Sequence, residues 1–281
     1  GFVTMFEKLQ QAARLNDNGS FPYLRSHPMT TERISDAQAR QQLLPKRGVV
    51  ATTPLHAMMA ARAQVLAKPG VDALRSMVAQ VQAGTFATSS KAKQAGVLYG
   101  ATFAELNQRN FADARQHLSR LQGLAGLDAN AQRVVRLLAA ELALASGDAA
   151  QAVVLLENKT TAIAKQDRAT RIQLAQSRIA TRKPAQGKMA ASDLSLWLND
   201  HPRDATVWLV NAAALELQGD ALRAIRSQAE ARAMELDYGA AVDRFKAAQL
   251  LAHQMASEGK LDRAGHMEAS IIDARLRELE R

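Results

Sequence analysis

The chain has no cysteine, so it forms no disulfide and offers no thiolate to a metal or a substrate. That absence is compatible with an oxidising or a reducing compartment. Aromatic side chains are scarce, with three tyrosines, two tryptophans and seven phenylalanines in 281 residues, and prolines number only seven. Few aromatic and β-branched residues beside abundant Ala, Leu, Gln and Arg favour helix, because those side chains lose little rotamer freedom there. An all-α fold is therefore expected. No apolar run approaches the ~18 residues of a membrane-spanning helix. Residues 1–20 lack the basic start, apolar middle and small-residue cleavage site of a signal peptide, although a trimmed secreted chain would read the same way.

What is present is apolar and basic. Hydrophobic residues make up 47% of the chain, enough to bury a substantial core. The formal net charge of +9 would suit an acidic partner or an anionic surface, and it is the main argument for nucleic acid. The basic residues, however, are spread along the helices among Asp and Glu, with few aromatics for base stacking. A distributed solvated face is expected, and nucleic acid is not the expected partner.

Apolar periodicity returns in pairs. Leu98, Ala101, Phe103 and Leu106 form one helical stripe, Gln108-Arg109-Asn110 turns the chain, and Phe111, Ala114, Leu118 and Leu121 form the next. Two short helices cannot hide both stripes alone, so each pair needs neighbours. The pattern recurs over Leu137–Leu144 with Ser146-Gly147-Asp148 and Ala152, then over residues 167–181 and 187–199, where Ala190, Leu194 and Trp197 line the second stripe and His201-Pro202 ends it. The clearest pair runs from Trp208 through Leu217 to Gly219-Asp220 and Ala224; Gly219 suits a left-handed helix end and Asp220 the next N-cap. Ala114, Ala152, Ala190 and Ala224 are spaced by 38, 38 and 34 residues. Residues 221–235 are expected to pair both backwards and forwards, with Phe245 and Ala248 in the following helix. A last helix near 260–280 should close the apolar edge through Ile271, Ile272, Leu276 and Leu279. A less regular pair at 55–67 and 70–83 opens the array.

Trp208, Ala212, Gly219, Ala224 and Ala231, with Gly147 and Ala152, resemble the tetratricopeptide repeat; Leu98, Phe111 and Ala114 fit more loosely. The resemblance implies a tetratricopeptide-like right-handed α-solenoid over residues 55–281, following a short non-repeat helical segment over 1–45 and a linker over 46–54. Another type of helical-hairpin array remains open. A solenoid of this kind presents a groove formed mainly by the first helix of each pair. Its candidate lining is Arg62, Glu105, Arg136, Glu141, Arg171, Gln173, Asn211 and Glu216, each of which taken singly could equally be solvated surface.

The first 45 residues have no repeat phase. Residues 3–16 form an amphipathic helix with Met5, Phe6, Leu9, Ala12 and Leu15 on one side, stopped by Asn16-Asp17-Asn18-Gly19. Thr30 or Thr31 can cap a helix from about Glu32 to Leu43. Between them stand Tyr23, Leu24, Ser26, His27 and Pro28, followed by Arg33 and Ile34. This order resembles the zinc metallopeptidases of the M48 group, in the bacterial periplasmic branch that carries a C-terminal tetratricopeptide region. Tyr99-Gly100-Ala101, Trp208 through Gly219, and Ile271 through Arg277 also look like that branch, so the resemblance extends over nearly the whole chain.

One element of that family is missing. Zinc-dependent hydrolysis there needs His-Glu-x-x-His, which sets two imidazoles one helical turn apart on the metal and a carboxylate beside the bound water. The histidines stand at 27, 56, 117, 201, 253 and 266, and no pair has that spacing. The glutamate that the family uses as third ligand is missing as well. The chain is thus expected to have no catalytic residue, metal or cofactor of its own, with zinc belonging to an intact parent metalloendopeptidase. In that parent the resemblance puts His27 and Arg33 beside the zinc cleft; without it, His27 reads as a surface or helix-entry histidine. His56, His117, His201, His253 and His266 have no partner with metal-site spacing.

The resemblance implies a noncatalytic protein-binding scaffold of a periplasmic metalloprotease, recruiting unfolded polypeptides or outer-membrane assembly proteins for quality control. The alternative is a free-standing tetratricopeptide adaptor with no protease activity, which would show a complete terminal cap near residues 1–54 instead of an apolar patch at Met5, Phe6 and Leu9. A nucleic-acid-binding solenoid is the third class.

Overall fold

The computed structural model describes residues 2–12, 30–43, 51–67, 70–157 and 167–281. Fourteen helices and no strand occur among the described residues. The chain divides into two compact units, Gly1–Ala51 and Thr52–Arg281.

The first unit contains α1 (Phe2–Ala12) and α2 (Thr30–Leu43), which pack on each other. Phe6 of α1 and Ile34 and Ala37 of α2 are half-buried, whereas Met5 and Leu9 are 43% and 51% exposed. The helix expected to run to residue 16 is described only to Ala12, and the stop at Asn16–Gly19 lies outside the described residues. Thr30 and Thr31 both fall inside α2.

The second unit opens with α3 (Pro54–Leu66) and α4 (Val71–Ala79), each packed on α5 (Lys91–Asn107) and not as the expected pair, and continues as a succession of hairpins: α5 with α6 (Phe111–Gln122), α7 (Ala129–Ala145) with α8 (Ala149–Glu157), α9 (Arg168–Ala180) with α10 (Pro184–Asp200), α11 (Ala205–Gln218) with α12 (Ala221–Met234), and α13 (Tyr238–Ser257) with α14 (Arg263–Leu279). Sequential helices pack side by side from α4 onward, and α3 packs on α5. The odd-numbered helices from α3 to α11 also touch one another in order. This is the solenoid-like, repeat-wise packing of an all-α chain. The helix α12 packs on both α11 and α13, and α14 returns to α13 and α12.

Five turns share one design. Arg109, Gly147, Gly219, Leu236 and Gly259 have φ of 62°, 87°, 87°, 64° and 67°. In each, the next residue's amide donates to the carbonyl five residues back: Asn110 to Glu105, Asp148 to Ala143, Asp220 to Leu215, Asp237 to Arg232 and Lys260 to Met255, at 2.8–3.0 Å. This is the Schellman closure, which satisfies carbonyls the helix end leaves open. Asp148, Asp220 and Asp237 then cap the following helix through side-chain oxygens that accept from Gln151, Arg223 and Ala240 amides.

Counting from the positive-φ residue fixes the register of the small positions. Five residues beyond Arg109, Gly147, Gly219 and Leu236 stand Ala114, Ala152, Ala224 and Ala241, all at most 1% exposed. Arg182, also in the left-handed region at φ 56°, leads by the same count to Gly187. In α10 the equivalent of these alanines is therefore Gly187; Ala190, expected in that role, is buried one turn further on. The substitution has a steric cause: a Cβ on Gly187 would lie 2.9 Å from the Ala214 carbonyl oxygen and 3.1 Å from Leu217 of α11.

Two other expectations change. The helix expected over 70–83 ends at Ala79, and the chain continues through i→i−3 turns at Val81, Gln82, Ala83 and Phe86. In α14, Ile272 and Leu276 are buried and Leu279 is half-buried, but Ile271 is 40% exposed. Residues 271 and 272 lie about 100° apart around a 3.6-residue helix, so both cannot face the core.

Apolar contacts form a chain of clusters. Met58, Leu98, Tyr99, Phe103, Leu121 and Leu138 lie in the first, and Ala140, Ala152 and Leu156 in the next. Leu194, Val207 and Leu215 form a third; Phe245, Ala248 and Ile272 a fourth. No described helix is long and apolar enough to cross a membrane.

Candidate functional site

Of the eight candidate groove residues, the structure brings Arg62 and Glu141 together. Arg62 of α3 donates to both carboxylate oxygens of Glu141 on α7, Nη1 to Oε2 at 2.9 Å and Nη2 to Oε1 at 3.2 Å. Its Nη1 also reaches the Tyr99 hydroxyl at 3.2 Å, and its guanidinium carbon sits 4.3 Å from the centre of the Phe103 ring. Burial pushes the Tyr99 phenol above its ordinary pKa, against the opposing pull of Arg62.

Five of the other six hold the hairpins together. Glu105 is 7% exposed; its carboxylate accepts from Asn110 Nδ2 at 2.7 Å, bracing the α5–α6 turn. Arg136 is half-buried on α7. Arg171 donates to the Asp193 carbonyl at 2.9 Å and its guanidinium lies 5.4 Å from the Trp197 ring, tying α9 to α10. Gln173 Nε2 donates to the Leu137 carbonyl at 2.8 Å and ties α9 to α7. Asn211 is 3% exposed and donates to Ser227 Oγ at 3.2 Å, between α11 and α12. Glu216 is exposed and accepts from Gln228 at 2.6 Å. Of the pair expected near a parent's active site, His27 lies outside the described residues and Arg33 is exposed on α2.

Sequence reasoning missed a ladder of ion pairs between successive odd-numbered helices. Asp167 caps α9 and accepts from Arg133 of α7 at 2.7 Å, as well as from the Thr170 amide and hydroxyl. Burial raises its pKa, but the hydrogen bonds from Thr170 and Arg133 outweigh that and hold the carboxyl below its ordinary range. Asp204 repeats the role for α11. It takes a forked bond from Arg168 at 2.7 and 2.8 Å, the Trp197 indole at 3.1 Å and the Val207 amide at 3.3 Å. Arg168 depresses its pKa most, and burial does not reverse the shift. Beside it the Trp197 and His201 rings stack, 3.8 Å between centroids. The signal was available in the chain as an Arg one repeat before each capping Asp, 34 and 36 residues apart.

A second set of charges joins the even-numbered helices. Arg178, 6% exposed, spans Glu157 of α8 and Asp193 of α10. Arg275 of α14 forks onto buried Glu230 of α12 at 3.0 and 2.9 Å, while Arg226 of α12 pairs with buried Glu268 of α14. Where the first turns of α12 and α14 meet there is a cavity of about 580 Å³. Its cations Lys188, Arg223 and Lys260 are matched by Asp220, Asp262 and Glu268, so the lining gives an anion no net attraction. Among the described residues, no three His, Asp or Glu side chains converge as metal ligands would.

No protein-family model and no curated protein sequence matches the chain.

Proposed function

We propose that the second unit is a protein-binding scaffold that receives an extended polypeptide along its odd-numbered helices. The observation that carries this reading is the ordered side-by-side packing of α3, α5, α7, α9 and α11, which makes one continuous surface from successive repeats. Exposed Leu209 and half-buried Leu137, Leu144, Ile172 and Ala213 supply apolar contacts on those helices, with Arg136 and Gln173 among them. The tetratricopeptide type and right-handed superhelix are part of the proposal, supported by the capped turns and the small residue five positions beyond each.

The scaffold's attachment to a periplasmic zinc metalloprotease, acting on envelope or outer-membrane assembly proteins, is the finer reading. It is supported by the order of residues from Tyr23 to Ile34. A free-standing adaptor is the other reading, favoured by the same repeat packing. A gene frame with no His-Glu-x-x-His ahead of Gly1 would leave only the adaptor.

Binding is tested with a photo-crosslinking residue at Leu209 or Arg136, and at Val154 or Leu196 as controls on even-numbered helices. The probe is a β-barrel outer-membrane polypeptide diluted from urea. Crosslinking should concentrate at Leu209 and Arg136; equal yields at all four positions, or none, would refute the scaffold reading.

A further inference from the structure

Three odd-numbered helices meet at one point. α3 and α7 both pack on α5, yet their own Cα atoms also come within 8 Å of each other. Alternate helices of an unbent stack stand roughly 16–20 Å apart, twice the 8–10 Å of a packed pair. The stack is therefore sharply bent across α5. The sequence provides for this with Gly96 and Gly100, which face Ala57 and Ala61 of α3. A Cβ on Gly96 would lie 3.0 Å from the Ala57 Cβ, and one on Gly100 would lie 3.2 Å from the Ala61 Cβ. Without those methyl groups α3 sinks against α5 far enough to reach α7.

At that meeting point the contact is polar. Arg62 is held by Glu141, Tyr99 and Phe103 on the two neighbouring helices. We propose that the Arg62–Glu141 pair is an intramolecular latch that holds α3 against α7 and keeps this end of the binding surface shut.

The two side chains are 30% and 34% exposed, so water and salt reach them. The apolar groups behind them, Leu98, Tyr99 and Leu138, are at most 2% exposed and share a core with Met58 and Val65 of α3. The bond can open while the hairpins stay folded. Opening frees a guanidinium seated beside an aromatic face and a phenol, a set that accepts a carboxylate. Glu141 thus occupies the place an acidic side chain of a bound polypeptide would take. That last step rests on the scaffold reading; the latch itself does not.

The test measures shape and needs no partner. Nitroxide labels at Leu66→Cys and Ala145→Cys sit on exposed positions one turn beyond each latch residue, and the absence of native cysteine keeps them site-specific. Electron paramagnetic resonance should give a short distance in the otherwise native chain. Glu141→Gln, nearly isosteric, and Arg62→Met should each lengthen and broaden it while α3 keeps its seat on α5. Far-UV circular dichroism identifies which variants stay folded. If a folded variant of either kind keeps the native distance distribution, the latch is overturned, and binding of polypeptide at Leu209 is unaffected by that outcome.

Discussion

Replacing Asp204 tests whether the Arg–Asp ladder holds successive repeats in register. The carboxylate is 11% exposed and has three roles: it caps α11, forks onto Arg168 and accepts the Trp197 indole. In Asp204→Ala the lost cap costs about 1 kcal/mol. The half-buried Trp197 N–H loses its partner, for about 1–2 kcal/mol more. Arg168 is 49% exposed and rehydrates, so its loss adds at most about 0.5 kcal/mol. The expected total is roughly 2–3.5 kcal/mol, or a drop of about 1–2 M in the urea midpoint if the slope is near 2 kcal/mol/M. Asp204→Asn keeps one acceptor oxygen, enough for the α11 cap or the Trp197 indole but not both, and should lose about 1–2 kcal/mol.

The assay is unusually local, because the two tryptophans, Trp197 and Trp208, both flank this turn. Their fluorescence reports the α10–α11 junction and not the unfolding of distant repeats, which need not melt together. The folded pKa of Asp204 lies below its unfolded value, so its stabilisation is complete above the unfolded pKa, near 3.9, and is lost as pH falls through the folded one. The gap between native chain and Asp204→Asn should therefore be full at pH 6 and close below about pH 4. Equal effects of Ala and Asn, or a gap that does not change with acid, would refute the ladder.

Three further outcomes follow from single residues. Gly187→Ala puts a methyl 2.9 Å from a backbone oxygen of α11 and should cost about 1–3 kcal/mol in thermal unfolding, despite alanine's better helix propensity. Leu236→Gly relieves a left-handed residue whose side chain is 71% exposed; relief of about 1–2 kcal/mol against a backbone-entropy cost of about 0.5–1 kcal/mol should leave a small gain in the urea midpoint. His117 is buried with Nδ1 unpartnered, and burial holds its pKa below the ordinary value while Glu105 and Asp113 pull it up and Arg120 pushes it down. The unfolded chain then binds the proton more readily, so stability should fall as pH drops from 7 through about 6.5 toward 5, and His117→Leu should remove that part of the slope in urea titrations at each pH.

The helices were legible wherever an apolar stripe met a recognisable punctuation mark. Gly147 and Gly219 announced their turns, and Pro202 follows the end of α10 at Asp200. Arg109, Arg182 and Leu236 occupy the same left-handed place without a glycine, so turn chemistry was hidden there. The groove was harder to read. Helical periodicity shows which residues share a face; it does not show whether a polar side chain on that face reaches solvent or the next helix. Glu105 and Asn211 looked like surface residues and are buried because Asn110 and Ser227 stand within reach. Arg62 and Glu141 meet only because of the bend across α5, and the pairing of residues 79 apart has no local signature.

Small residues and charged pairs divide the work of setting the stack's geometry. At α3–α5 and α10–α11, missing side chains decide how closely two helices approach, since a backbone contact at 3 Å leaves no room for even a methyl group. Between α7, α9 and α11, a capping carboxylate joined to an arginine of the preceding repeat decides instead. Sterically set contacts change little with solvent, whereas the charged ones weaken with salt and acid. The close seat of α3 on α5 should therefore survive conditions that loosen Arg62 from Glu141 and Arg168 from Asp204. A surface built this way can open at its polar joints, one repeat from the next, while each hairpin keeps its own packed core.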